Sequence, residues 1–200
     1  MAAVVVASNY LVQFPVHIRI GNIDLADLLT WGAFTYPAAF LVTDLTNRRF
    51  GPVAARRVVY VGFAVAVLLS ILLASPRIAI ASGTAFLIAQ TLDVFVFDRL
   101  RGGGPWWRAP LASSVLGSLV DTGLFFTLAF AAAFVFLGPN DPFAIETAPL
   151  MAIGPFDVPR WMSWAVGDLA VKLLVAAALL VPYRLAMGFI PSRTEGGQAA

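Results

Sequence analysis

Six apolar stretches divide the chain, and the segments between and after them carry most of its arginine, glycine and proline. A helix needs about 20 apolar residues, and no fewer than about 17, to cross a bilayer. Five of the stretches are long enough, whereas the first is shorter and carries Asn9 and Gln13. The pattern predicts membrane spans at residues 1–14, 26–45, 58–74, 78–97, 109–137 and 161–182.

Composition supports a membrane protein. Hydrophobic residues make up 60% of the 200 residues and charged residues only 12%, whereas an ordinary soluble domain is about 25% charged. So little charge cannot cover a water-facing surface of this size. We therefore expect one all-α, polytopic membrane domain over residues 1–200, with six helices in one bundle. The sequence has no cysteine and one histidine, so neither a metal nor a cofactor is expected.

The arginines are distributed unequally between the two sides of the predicted bundle. Alternate connections and the C-terminal tail hold nine of them, and the remaining connections hold three. Because cytoplasmic loops carry more basic residues, both termini are expected in the cytoplasm. The nine are Arg48, Arg49, Arg56, Arg57, Arg99, Arg101, Arg108, Arg184 and Arg193, and the three are Arg19, Arg77 and Arg160.

Two of the outer connections have patterns of their own. Residues 15–24 alternate apolar and polar side chains, which predicts a short extended or hairpin segment. Residues 138–159 contain five prolines. This second connection is either a stiff external cap or a disordered connector.

Polar residues interrupt four predicted spans, where each charge costs about 2.5–3.5 kcal/mol to place in lipid. Gln90 and Asp93 lie on one helical face with Phe86, and Asp168 and Lys172 are four residues apart and can form an ion pair. Turned inward, these faces would meet at mid-depth in one shared cavity, as in transporters that bind substrate between helices. The candidate substrate-binding residues are Trp31, Asp44, Phe86, Gln90, Asp93, Ser114, Asp121, Asp168 and Lys172.

Several of these groups also have a purely structural interpretation, and the sequence leaves both open. Asp168 and Lys172 can lock the sixth helix, Asp121 can hydrogen-bond between helices, and Asp44 can cap a helix at the interface. In the transport interpretation, carboxylates, an amide and flat rings together suit a small, planar, hydrogen-bonding heterocycle that stacks on aromatic side chains. An ion channel would instead need a ring of like groups.

Long motifs in fixed order resemble one known family. The longest is WGAFTYPAAFLVTDLTN at residues 31–47, followed by Phe50–Gly51 and Ala55–Arg57. Further matches are the segments 81–90, 93–98, 106–108, 113–114, 117–118, 121–122, 172–173 and 182–184. Together these motifs resemble the queuosine precursor transporter family, which is also called the vitamin uptake transporter family.

The resemblance implies an importer that carries 7-deazaguanine bases, such as the cyano or aminomethyl form, across the bacterial inner membrane for queuosine salvage into tRNA. It also implies a six-helix bundle similar to the substrate-binding subunits of energy-coupling-factor transporters. The matching candidates are Asp44, Gln90, Asp93, Ser114, Asp121 and Lys172.

The expected partners are therefore a planar deazapurine base and the lipid bilayer, with no nucleic acid; a homo-oligomer is left open. An enzyme is not expected, because no nucleophile–base pair or metal motif occurs. The alternative function is a substrate-binding subunit that needs a separate energising partner. Ala3 and Ala7 form a small-residue face on which such a partner could dock.

Overall fold

The computed structural model describes residues 1–21 and 23–189 of the chain; Arg193 lies outside them. Short 3₁₀ turns lie at Leu25–Asp27, Ala132–Leu137 and Leu150–Ala152. The helices are α1 (Ala2–Leu11), α2 (Gly32–Thr35), α3 (Ala38–Phe50), α4 (Pro52–Leu73), α5 (Pro76–Leu100), α6 (Arg108–Phe130), α7 (Pro142–Ile145) and α8 (Arg160–Phe189). The strands are β1 (Arg19–Ile20), β2 (Ile23–Asp24), β3 (Thr147–Pro149) and β4 (Asp157–Pro159).

Four helices among the described residues are long and apolar enough to cross a membrane: α4, α5, α6 and α8. Helix α5 packs against α3, α4 and α6, and α6 packs against α8. Helices α1 and α3 are shorter, with 10 and 13 residues. Four of the six predicted spans therefore have the dimensions of a full crossing; the count of six and the cytoplasmic termini stay predictions.

The second predicted span, 26–45, is not one continuous helix. Asp24 accepts a hydrogen bond from the Ala26 N–H at 3.0 Å, which starts a 3₁₀ turn rather than an α-helix. Helix α2 then ends at Thr35, and α3 begins after Pro37. Proline has no N–H to donate to the carbonyl four residues back, so the α-helical ladder is interrupted there.

The fifth predicted span, 109–137, is too long, because residues 131–137 are not part of the helix. Helix α6 ends at Phe130 and Ala131 is extended. The Arg77 side chain, which is 2% exposed, explains this end. Its guanidinium donates to the carbonyls of Leu128 at 3.0 Å, Ala131 at 2.7 Å and Gly138 at 3.1 Å. The buried cation thus draws the end of α6 and the following turn onto the start of α5.

Both patterned connections are folded. Strands β1 and β2 pair antiparallel with Arg19 opposite Asp24, which confirms the predicted hairpin. The N–H of Ala26 and the Arg19 guanidinium hold the pKa of the Asp24 carboxyl below its usual range. Residues 138–159 form α7 and the antiparallel pair β3–β4, which agrees with the structured cap rather than the disordered connector.

Close packing between α3 and α6 depends on Gly117. A Cβ atom at this position would lie 2.7 Å from Cε1 of Phe40, which is fully buried. Gly123 on the same helix has no such neighbour within 4 Å. Because overpacking costs about 1–3 kcal/mol, we expect Gly117→Ala to lower the free energy of unfolding by that amount relative to Gly123→Ala. Unfolding in detergent micelles measures the difference, and equal stability of the two variants would contradict this packing.

Candidate substrate-binding cavity

A cavity of about 590 Å³ lies among the helices, within the range of about 300–1,000 Å³ typical of small-molecule sites. It occupies the half of the bundle near the α4–α5 turn, because its walls come from the end of α1, residues 26–36, the end of α4, the start of α5, the second half of α6 and the first half of α8. Its charged and aromatic lining residues are Asp27, Tyr36, Phe86, Asp121, Phe125, Phe126, Phe130, Phe143, Trp164, Asp168 and Lys172.

Lys172 is the centre of an ionic cluster in the cavity wall. Its Nζ lies 2.7 Å from Oδ2 of Asp121 and 2.5 Å from Oδ2 of Asp168. It also donates to Oγ1 of Thr122 at 3.2 Å, and the Thr122 hydroxyl donates to Asp168 at 2.7 Å. The sequence-predicted pair of Asp168 and Lys172 is therefore present, and Asp121 extends it from α8 to α6.

Tyr36 completes the cluster, and sequence analysis did not single it out. Its hydroxyl donates to Oδ1 of Asp121 at 3.0 Å, and its ring centroid lies 5.2 Å from Nζ of Lys172. The ring also meets Phe86 edge-on at 6.2 Å. The available signal was its place beside Pro37, since an interrupted helix commonly lines a polar cavity.

The cavity wall carries more negative than positive groups. Lys172 supplies one ammonium, whereas Asp121 and Asp168 supply two carboxylates, and Asp27 adds a third near the surface. Seven aromatic side chains are among the remaining lining residues, and Trp164 packs between Phe130 at 5.7 Å and Phe143 at 6.1 Å. The arrangement can hold a flat molecule that offers N–H donors or a positive charge.

A second polar cluster lies beyond the cavity, toward the arginine-rich end of the bundle; we call it the inner polar layer. Thr43 Oγ1 lies 2.9 Å from Oδ2 of Asp93 and 3.3 Å from Oε1 of Gln90. Ser113 donates to Oδ1 of Asp44 at 3.2 Å. The layer comprises Thr43, Asp44, Gln90, Asp93 and Ser113, all at most 1% exposed.

The structure thus distributes the predicted site residues over two places. Phe86, Asp121, Asp168 and Lys172 line the cavity. Asp44, Gln90 and Asp93 lie in the inner polar layer, and Ser114 lines a void of about 10 Å³ beside it. Trp31 is 43% exposed, packs on Phe34 and does not line the cavity.

The expectation of a single cavity shared by Asp93, Asp121 and Lys172 is therefore wrong for Asp93. Residues 86 and 93 share a helical face, but seven residues of helix separate them by about 10 Å along the axis. A common face does not imply a common depth. Which of the nine residues contact substrate stays a prediction.

A multi-pass helical membrane protein with a ligand-sized cavity and a sealed polar layer beneath it has the construction of a membrane transporter. Comparison with known proteins agrees with this class. The profile of the family described as "Putative vitamin uptake transporter" matches residues 30–75 and 66–186. The chain belongs to this family of transporters, which are not enzymes, and is a multi-pass protein of the bacterial inner membrane.

Two curated relatives align with nearly the whole chain. The chain is 36% identical over 199 residues to the "Queuosine precursor transporter" of Escherichia coli, covering 90% of this chain and 79% of that protein. It is 34% identical over 205 residues to the "Probable queuosine precursor transporter" of Haemophilus influenzae, with the same coverage. The family resemblance seen in the sequence is thereby confirmed. No solved structure matches the chain.

Proposed function

We propose that the protein imports a queuosine precursor, a 7-deazaguanine base, across the bacterial inner membrane for salvage into tRNA. The observation that carries the proposal is the Lys172 cluster in a cavity with aromatic walls. The names of the two relatives support the same substrate class. A 7-deazaguanine base is flat and presents adjacent N–H donors, which a carboxylate accepts in pairs.

Asp168 is the carboxylate best placed to bind the ring edge. Its Oδ2 already accepts from Lys172 and Thr122. Its side chain is 16% exposed, against 6% for Lys172 and 6% for Asp121, so it is the more accessible of the two carboxylates. Phe86 and Trp164 are among the aromatic residues that line the cavity beside the cluster.

The proposed direction of transport follows from the arginine distribution. With the arginine-rich end in the cytoplasm, the cavity belongs to the outer half of the bundle. The inner polar layer then separates bound substrate from the cytoplasm. This conformation corresponds to the outward-facing state of a carrier, and import requires the layer to open.

The excess of carboxylates favours a cationic base. The aminomethyl form carries an ammonium group at neutral pH, whereas the cyano form is neutral. In proteoliposomes, we expect the aminomethyl base to compete with labelled substrate at least tenfold better than the cyano base. Asp168→Asn should reduce both uptake and this preference, whereas Asp98→Asn, at the end of α5 and paired with Arg101 at 2.9 Å, should change neither. Wild-type vesicles that take up neither base would overturn the proposed function.

The second candidate function is that of a substrate-binding subunit which depends on an energising partner. It is favoured by the exposure of Ala3 and Ala7 on the outer face of α1. Uptake by the purified protein alone in liposomes would exclude this dependence. This dependence would be supported if the purified protein bound the base but took it up only after a membrane extract was added.

A further inference from the structure

The inner polar layer contains more hydrogen-bond acceptors than hydrogens to satisfy them. Four acceptors surround Thr43 Oγ1: the carbonyls of Ala39 at 3.2 Å and Phe40 at 2.8 Å, Oε1 of Gln90 at 3.3 Å and Oδ2 of Asp93 at 2.9 Å. A threonine hydroxyl has one hydrogen and can satisfy only one of them. Rotating the Gln90 amide so that it donates still leaves Asp93 and a carbonyl competing for that hydrogen.

Two carboxylates are buried here without a basic partner. Asp93 is fully buried, Asp44 is 1% exposed, and Asp93 is close enough to act electrostatically on Asp44. Within residues 1–21 and 23–189, neither carboxylate has a lysine or arginine nitrogen within 4 Å. Two unpaired negative charges at this depth would cost many kcal/mol.

Two buried polar atoms of the inner polar layer have no hydrogen-bond partner within the part of the chain that the structure describes, which suits a proton on Asp93. Oδ1 of Asp93 and Nε2 of Gln90 are buried and have no hydrogen bond of normal geometry among the described residues, although the Ser113 hydroxyl lies close enough to act on the Asp93 carboxyl group. A proton on Asp93 would turn one carboxylate oxygen into a donor. Donation from Oδ2 to Thr43 Oγ1 would free the Thr43 hydrogen for the Phe40 carbonyl, and one negative charge would be removed.

We propose that Asp93, together with Asp44, holds a proton that is taken up and released in each transport cycle. The proposal rests on the proposed function, because it assigns the coupling ion of that transport. The layer lies between the cavity and the cytoplasmic end, so opening it to admit substrate would also expose the pair to water.

The surrounding groups favour a proton over a metal cation. Thr43 and Ser113 supply hydroxyls 2.9 and 3.2 Å from Asp93 and Asp44, and no cluster of three or more acidic, histidine or cysteine side chains that could hold a metal ion occurs in the described chain. Toward the cytoplasmic end, Tyr183 of α8 lies near both Asp44 and Arg48 of α3. From α4, apolar Ala55 and Val59 pack beside Val94 of α5. The charged groups of the cavity, on α6 and α8, are already paired with one another.

A path for the proton is also present in outline. A void of about 10 Å³, roughly the room that one water molecule occupies, is bounded by Asp44, Ser114 and Tyr183. Asp44 itself lines this void, and Tyr183, which also lines it, lies near Arg48. A single water there would lie between Asp44 and Tyr183.

The first experiment measures the proton without any substrate. Infrared spectra of the purified protein near neutral pH, with hydrogen–deuterium exchange, should show the C=O stretch of a buried protonated carboxyl group. Asp93→Asn should remove that band, and Asp98→Asn should leave it in place. Absence of the band in the wild-type protein, or its persistence in Asp93→Asn, would overturn the proposal.

The second experiment tests coupling in proteoliposomes, with the membrane potential clamped at zero and labelled aminomethyl base outside. One proton per base allows about tenfold accumulation per pH unit of gradient, since tenfold corresponds to about 1.4 kcal/mol. We expect this accumulation in the wild type and its loss, to a ratio of about one, in Asp93→Asn, which should still exchange labelled for unlabelled base.

The outcomes separate this proposal from the proposed function. Wild-type accumulation that ignores the pH gradient, or that follows a sodium gradient instead, would overturn proton coupling and leave the substrate assignment intact. Absence of both binding and exchange of either base in the wild type would refute the substrate assignment, while the infrared band would still report the proton.

Discussion

Lys172→Met is expected to abolish uptake and to lower the free energy of unfolding by about 3–5 kcal/mol, because it leaves two carboxylates buried without their cation. The ammonium contacts Asp121 and Asp168 at 2.7 and 2.5 Å, with side-chain exposures of 6%, 6% and 16%. Methionine keeps the length and packing of the stem and removes only the charge. Unfolding in detergent and uptake in proteoliposomes measure the two effects separately.

A matched control uses an ion pair outside the bundle. Arg19 pairs with Asp24 at 3.1 Å, but the Arg19 side chain is 81% exposed. Arg19→Met should therefore change stability by less than about 1 kcal/mol. A second variant, Lys172→Met with Asp121→Asn, should regain part of the lost stability without regaining uptake. If Lys172→Met unfolds like the wild type, the cluster does not carry the energy assigned to it.

Arg77→Met is expected to produce the second large effect: it should lower the free energy of unfolding by about 3 kcal/mol or more. Three backbone carbonyls and the Asn140 side chain accept from this buried guanidinium. Removing a charged donor costs about 1.5–3 kcal/mol per bond, and the carbonyls left behind are partly buried. Faster hydrogen exchange over residues 128–140 should accompany the loss.

Function should also suffer in Arg77→Met, because the segment that Arg77 holds leads into α7, and Phe143 of α7 lines the cavity. The stability and uptake of Arg77→Lys should fall between those of the wild type and Arg77→Met, since lysine keeps the charge but not the planar array of donors. Arg19→Met is the control, because the Arg19 side chain is 81% exposed and its ion-pair partner, Asp24, lies outside residues 128–140. Equal exchange rates over residues 128–140 in the wild type and Arg77→Met would exclude a clamp.

Hydropathy predicted the long helices well and their ends poorly. Residues 131–137, AAAFVFL, are as apolar as the helix before them, so no local signal marks the end of α6 at Phe130. That end depends on Arg77, which is more than 50 residues away in the sequence. From the sequence, Arg77 looks like a surface residue in a connection, and only the folded structure shows that it is buried.

The sequence predicted the types of residue in the site but not their depth in the membrane. Helical spacing places Gln90 and Asp93 on the same face as Phe86, and they do face the bundle interior. Spacing carries no information about which neighbouring helix meets each turn. Phe86 therefore meets Tyr36 at the cavity, whereas Asp93 meets Thr43 in the inner polar layer.

Helix α8 has 30 residues, which at about 1.5 Å each gives a rod of about 45 Å. The hydrocarbon core of a typical bilayer is about 30 Å thick. The helix must therefore lean or extend into the headgroup region, and the surrounding lipid must adapt to it. Acyl-chain length therefore matters in every reconstitution. Thin and thick bilayers should tilt this helix to different extents and so shift the positions of Asp168 and Lys172.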